Sequence, residues 1–170
     1  MIRLACENDL EAILAIYNGA ILNTTAIYTY KATTLQERQE WFTCKQEQGY
    51  PIWVYEIDGA VAGFATYGSF RPHPAYKYTI EHSIYVDTHF RKQGIGTALL
   101  NTIIEDANDK GYASLVAGID ASNKSSIDLH IKLGFVSCGI IHKAGYKFGQ
   151  WLNLAFFQRL LDGPKNPTEE

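Results

Sequence analysis

Val86-Asp87-Thr88-His89-Phe90-Arg91-Lys92-Gln93-Gly94-Ile95-Gly96-Thr97-Ala98-Leu99-Leu100 is the stretch whose reading decides the rest of the chain. A strand from Tyr78 to Val86 runs into a short basic turn, with glycines at 94 and 96. An apolar-periodic helix opens at once, with Ile95, Leu99, Ile103 and Ala107 on one face. Glycine has no Cβ, so backbone N–H groups can approach a ligand closely. The first helical turn leaves its N–H groups without intrahelical partners, at the positive end of the helix dipole. Arg91 and Lys92 add full charge beside Gln93. Residues 91–97 therefore read as a site for a phosphate or pyrophosphate; a plain tight strand-to-helix connection is the alternative.

Two common phosphate motifs are absent. A P-loop needs Gly-x-x-x-x-Gly-Lys-Ser/Thr, and no such spacing occurs. The dinucleotide fingerprint needs a third small residue where this chain has Leu99. What remains is Arg-x-x-Gly-x-Gly at a strand-to-helix junction.

At 170 residues the chain reads as one domain over residues 1–161, with a frayed tail over residues 162–170 that holds two prolines and charged ends. A hydrophobic content of 46% with 19% charged residues is that of a soluble globular protein. The net charge of −3 argues against non-specific nucleic-acid binding, which relies on a basic surface. No apolar run approaches the roughly 20 residues of a membrane span, and the N-terminus reaches Glu7 too soon for a signal peptide. Cys6, Cys44 and Cys138 are odd in number and scattered, which reads as reduced thiols in a cytoplasm. The five histidines show no metal-ligand spacing, so no metal is expected.

Outward from the turn, Ile2 to Ala5 reads as a strand. Asn8 with Glu11 makes a capping box for a helix with Leu10, Ile13, Leu14, Tyr17 and Ile21 on its apolar face. Thr34 with Glu37 opens a second helix that stops at Gly49. Strands 52–57 and 61–67 are joined by Asp58-Gly59, a two-residue hairpin signal. A proline-containing loop, 69–77, precedes the strand that ends at Val86. Then follow a strand from Ser114, a short helix from Ser125 to Leu133, and two closing strands around a loop, 144–150. The order is β-α-α-β-β-β-α-β-α-β-β, an α/β chain with a central mixed, mostly antiparallel sheet flanked by helices.

The Arg-x-x-Gly-x-Gly junction resembles the pyrophosphate-binding segment of the GNAT superfamily of acetyl-CoA-dependent N-acetyltransferases, and the element order is similar to the GNAT fold. Four segments narrow the resemblance: Tyr78-Thr79-Ile80-Glu81, the turn 91–96, Leu129-His130-Ile131-Lys132-Leu133-Gly134-Phe135, and Ala144-Gly145-Tyr146-Lys147-Phe148-Gly149-Gln150-Trp151. With Glu81-His82-Ser83-Ile84-Tyr85-Val86 they resemble the phosphinothricin and methionine sulfone/sulfoximine N-acetyltransferase family. The resemblance covers roughly residues 2–160. It implies acetyl-CoA as acetyl donor, a small amino-acid-like acceptor, and a homodimer. A polyamine or protein N-terminus as acceptor, or a non-catalytic acyl-CoA-binding module, are the competing readings.

Acetyl transfer to an amine needs a base for the amine proton and donors for the developing oxyanion. Glu81, five residues before Val86, is the expected base; on residues alone it also reads as a solvated strand carboxylate. The resemblance gives Tyr85 and Val86 to the pantetheine arm and Arg91, Lys92, Gln93, Gly94, Ile95, Gly96 and Thr97 to the pyrophosphate. It adds Asn123 and Ser126 to the same arm, for which plain helix capping is the other reading. His130 stands where many superfamily members place a tyrosine that protonates the leaving thiolate, and is expected to act as that acid if cationic, to hydrogen-bond the cofactor if neutral, or simply to pack in its helix. For the acceptor, Tyr28, Arg71, Tyr76, Lys77, His82, Tyr146 and Lys147 are expected to line the pocket beside Glu81. Arg71 suits bidentate carboxylate recognition. Tyr30 and Lys31 depart from the family's usual glutamate-containing stretch after Tyr28, so the preferred acceptor is left open.

Overall fold

Local chemistry sets the clearest element boundaries. Thr34 accepts from the Glu37 N–H at 3.2 Å, while the Glu37 carboxylate accepts from the Thr34 N–H at 2.6 Å. That reciprocal box is the expected one, and it opens a helix that stops at Gly49, whose φ of +72° ends the turn. Asp58 and Gly59 likewise adopt φ of 48° and 80°, the paired left-handed conformation of a tight hairpin.

The computed structural model describes residues 1–169; Glu170, the last residue of the expected tail, lies outside the described residues. Its elements are β1 (Ile2–Leu4), α1 (Leu10–Asn23), α2 (Leu35–Glu47), β2 (Ile52–Ile57), β3 (Ala60–Ser69), β4 (Thr79–Val86), α3 (Ile95–Asp109), β5 (Ser114–Asp120), α4 (Lys124–Lys132), β6 (Val136–Lys147) and β7 (Gln150–Leu160). This is the expected order. The strands form one sheet in the order β1-β2-β3-β4-β5-β7-β6. β4 and β5 pair in parallel, whereas β1–β2, β2–β3, β5–β7 and β6–β7 are antiparallel.

The chain divides into two compact units, Met1–Thr66 with Ser83–Leu100, and Tyr67–His82 with Asn101 onward. In the first, Leu10, Ile13, Ile16, Phe42, Ile52, Val54 and Phe64 form the core, with Tyr17, Trp41 and Tyr85 packed against it. Arg38 is buried there with its guanidinium 4.0 Å from the Tyr17 ring and 4.5 Å from the Trp41 ring. The start of α1 differs from the Asn8–Glu11 expectation. Asp9 accepts from the Cys6 N–H at 2.8 Å and takes a two-point contact from Arg3, so a 3-10 turn at 7–9 precedes the helix. Arg3 also reaches Glu56. The reach of Asp9 back to the Cys6 N–H closes that turn, and the Asp9 side chain makes no cap bond to α1 itself.

Gly63 in β3 holds the same unit at close range. A Cβ there would lie 2.9 Å from the Tyr85 carbonyl oxygen, 3.2 Å from Ile95 and 3.4 Å from Leu99. Backbone cannot step aside as a side chain does. Gly63→Ala is expected to lower stability by about 1–3 kcal/mol, read from urea denaturation. An unchanged midpoint would show that β4 yields freely.

In the second unit, β5 is buried at every position but Gly118. The closing hairpin departs from expectation: residues 144–150 are no loop. β6 continues to Lys147, and the turn is only Phe148-Gly149, with φ of 51° and 74°. Tyr146 and Trp151 pair across it with ring centroids 5.1 Å apart. Two register shifts, between Ser137 and Gly139 and between Ile141 and Gly145, hid the strand by breaking its alternation. Three tail residues bond back to the body of the second unit: Asp162 N–H donates to the Asn108 side-chain oxygen, Gly163 N–H to the Tyr112 carbonyl and Thr168 N–H to the Tyr78 hydroxyl.

Candidate active site

The turn after β4 is built as its sequence implies. Asp87 donates its N–H to the Ala62 carbonyl at 2.9 Å and caps a short 3-10 turn by accepting from the His89 N–H. Lys92 and Gly94 then take φ of 63° and 78°. Only glycine adopts the latter freely. The first helical hydrogen bond of α3 runs from Ala98 to Gly94 at 3.0 Å. The N–H groups of Ile95, Gly96 and Thr97 therefore have no intrahelical acceptor. Arg91, Lys92, Gln93 and Gly94 are exposed around them. Two cations and a row of unpaired donors fit a pyrophosphate.

β4 carries Glu81 in its first half and ends at Val86. Strand alternation sets Glu81 half-buried between the buried Ile80 and His82. Burial pushes its carboxyl above the ordinary carboxylate range, and the Arg71 guanidinium pulls it part of the way back. A desolvated carboxylate with a raised proton affinity is a better base than a solvated one.

His82 and His130 pack against each other. Both are buried, and the ring planes lie within 6° of each other with the Nε2 atoms 3.1 Å apart. That geometry joins the rings edge to edge through one N–H···N bond. The Ser126 carbonyl, 2.6 Å from His130 Nδ1, can only accept, so Nδ1 carries the proton. His130 Nε2 is then the acceptor and His82 Nε2–H the donor, which leaves His82 Nδ1 as a buried lone pair without a partner. Phe135 seals the pair edge-on to both rings, with centroids 5.8 and 4.9 Å away. Burial, then the neighbouring imidazole, pushes His82 down to about 3, and burial lowers His130 despite the Ser126 carbonyl. The His130 Nδ1–H is thus committed to the Ser126 carbonyl. His82 is turned to the opposite face of β4 from Glu81.

Other expected residues fall as follows. The Tyr85 ring packs in the first unit's core against Phe64 and Tyr17, at 5.2 and 5.5 Å. Asn123 uses its side-chain oxygen to cap α4 by accepting from the Ser126 N–H at 3.2 Å. In the loop before β4, Arg71 and Tyr76 are exposed and Lys77 half-buried. Arg71 stacks 4.2 Å over Phe70 and donates to its carbonyl. Lys77 reaches Thr168 at 3.3 Å. Tyr28 is half-buried in the loop between α1 and α2. Tyr146 is exposed, whereas Lys147 is buried with its ammonium 5.0 Å from the Phe148 ring, and burial lowers its proton affinity. Sequence reasoning passed over Gly118, although a lone glycine inside Leu-Val-Ala-Gly-Ile-Asp is an audible irregularity in an apolar strand.

Among the described residues no group of three or more His, Cys, Asp or Glu is placed to hold a metal, and no helix is long and apolar enough to cross a membrane.

The Acetyltransferase (GNAT) family matches residues 13–135. An L-methionine sulfoximine/L-methionine sulfone acetyltransferase of Pseudomonas paraeruginosa is 46% identical over 162 residues, covering 95% of this chain and 94% of that protein. The crystal structure of an N-acetyltransferase from Staphylococcus aureus superposes with a TM-score of 0.95 at 58% identity, over 95% of this chain and 98% of that one. A GNAT superfamily phosphinothricin acetyltransferase from Sinorhizobium meliloti, solved in complex with acetyl-CoA, gives 0.94 at 37% identity, over 99% and 93% of the two chains. With the fold, the glycine turn and these likenesses in agreement, the chain belongs to the GNAT family of acetyltransferases.

Proposed function

We propose that the protein moves the acetyl group of acetyl-CoA onto the α-amino group of a small amino-acid-like acceptor of the methionine sulfone, methionine sulfoximine or phosphinothricin class. The observation that carries this reading is Glu81: a half-buried carboxylate of raised proton affinity, on the strand that leads into the glycine turn. Acetyl-CoA supplies the acetyl group as an activated thioester. The turn 91–97 holds its pyrophosphate through the N–H groups of Ile95, Gly96 and Thr97 and the charges of Arg91 and Lys92, with Gln93 and Gly94 shaping the bend. Val86 offers backbone groups to the pantetheine arm, and the Asn123 amide and Ser126 hydroxyl support it.

A free α-amino group has a pKa of about 7.7–8.0, so most of it arrives protonated at neutral pH. Glu81, in its carboxylate form, takes that proton and frees the nitrogen lone pair to attack the thioester carbonyl. Arg71 pairs with the acceptor's carboxylate, and Tyr28, Tyr76, Lys77, Tyr146 and Lys147 frame the rest of it. While Arg71 is so engaged its charge no longer holds Glu81 down, and the base strengthens as the acceptor binds. The thiolate leaves without help from His130, whose one N–H is committed to the Ser126 carbonyl. Cys6, Cys44 and Cys138 are exposed free thiols, none in a motif segment, so transfer is direct and the setting is a reducing cytoplasm.

A homodimer belongs to this reading. β6 is the outer strand of the sheet and exposes Val136, Ile140 and Ile141, while its hairpin tip exposes Tyr146, Phe148 and Trp151. A long apolar edge of this kind is normally covered by a second chain.

A thiol-release assay of the purified protein with acetyl-CoA tests the acceptor class. Methionine sulfone, methionine sulfoximine and phosphinothricin are expected to be turned over, and spermidine is not. Turnover confined to polyamines would reverse the assignment.

A further inference from the structure

Gly118 is the one exposed position in β5, between the buried Ala117 and Ile119. A glycine inside a strand weakens it, so its presence asks for a reason. Conformation is not the reason, because Gly118 lies outside the left-handed region that glycine alone adopts freely. Close approach is. A Cβ at this position would meet Glu81 Oε1 at 3.0 Å, Leu154 Cδ1 at 3.5 Å and Phe156 Cε1 at 3.7 Å. The last two distances are ordinary contacts; only the carboxylate is crowded.

The register explains why these groups meet. Glu81 on β4 pairs with Val116 on the parallel β5. Gly118 is two residues farther along and on the same face, within reach of a side chain leaning along its strand. On the other side of β5, Gly118 pairs with Phe156 of β7. The carboxylate therefore rests on bare backbone, beside the apolar ends of Leu154 and Phe156. That setting accounts for its partial desolvation.

We infer that Gly118 is the positioning residue for the base: the space left by its missing side chain is the seat of the Glu81 carboxylate, and a methyl there moves the carboxylate off its station. This rests on the reading of Glu81 as the proton acceptor. A general base displaced by several tenths of an ångström loses alignment with the proton it takes, whereas a binding site elsewhere is untouched. The displaced atom is the free end of a flexible side chain, so the fold is not expected to suffer.

The test compares wild type, Gly118→Ala, Glu81→Gln, Glu81→Asp and the two double variants, each measured for thiol release across pH, for acetyl-CoA affinity by calorimetry and for melting temperature. Gly118→Ala is expected to lower kcat about tenfold and to shift the acid limb of the pH–rate profile, with acetyl-CoA affinity and melting temperature unchanged. In the Glu81→Gln background the same substitution is expected to have almost no further effect. With Glu81→Asp, whose shorter chain draws the oxygens back from residue 118, its cost is expected to shrink. Wild-type turnover in Glu81→Gln would refute the base itself. If Glu81→Gln is inactive but Gly118→Ala keeps the wild-type rate and pH profile, the base stands and the seat is refuted. A Gly118→Ala protein that melts early, fails to fold, or loses rate equally in the Glu81→Gln background would make Gly118 a structural glycine, which also overturns the inference.

Discussion

Glu81→Gln is expected to lower kcat by about 100-fold to 10,000-fold, the range that a positioned general base contributes, while leaving acetyl-CoA affinity as in the wild type. Glutamine keeps the shape of the side chain and removes only its ability to take a proton. Burial raises the Glu81 proton affinity and Arg71 opposes it, so the wild-type rate should rise with pH as the carboxylate ionises and then level off. The variant should lack that limb. Calorimetric titration of acetyl-CoA beside steady-state thiol release separates the two effects. An equal loss of binding and turnover would mean that Glu81 shapes the site rather than serving as its base.

Acidification is expected to destabilise the protein through the buried histidine pair. His82 is pushed down from 6.5 to about 3 in the folded state, first by burial and then by His130. Its folded pKa is depressed, so below 6.5 the unfolded chain binds a proton that the native chain refuses. Stability therefore falls as pH drops from 6.5 towards 3, by about 1.4 kcal/mol per pH unit. Above 6.5 this contribution is flat. His130, lowered in the same direction, adds to the slope. Urea denaturation at pH 7 and pH 5 should thus differ by roughly 2 kcal/mol from His82 alone. His82→Gln keeps an N–H donor for His130 and cannot titrate, so its stability should change less over the same interval. An equal slope in the variant would place the acid sensitivity elsewhere.

What the sequence by itself determined is what short-range physics controls. Ile95, Leu99, Ile103 and Ala107 recur with the helical period, and all four are buried along α3. Thr34 with Glu37, and Asp58 with Gly59, each complete their hydrogen bonding or turn geometry within a few residues, and each forms as read. The turn at 91–97 was legible for the same reason, because its glycine conformation and free helical N–H groups are local properties. The tertiary structure decided every matter that depends on which segment lies beside which. A 3-10 turn took the place of the Asn8 cap because Arg3 and the Cys6 N–H hold the Asp9 carboxylate. His130 gained a partner for its second nitrogen because His82, 48 residues earlier, closes on it. Gly118 gained its meaning only when strand register brought Glu81 over it. Periodicity says which way a side chain points along its own strand or helix, but its proton and its partner are set by groups that only the folded chain brings within reach.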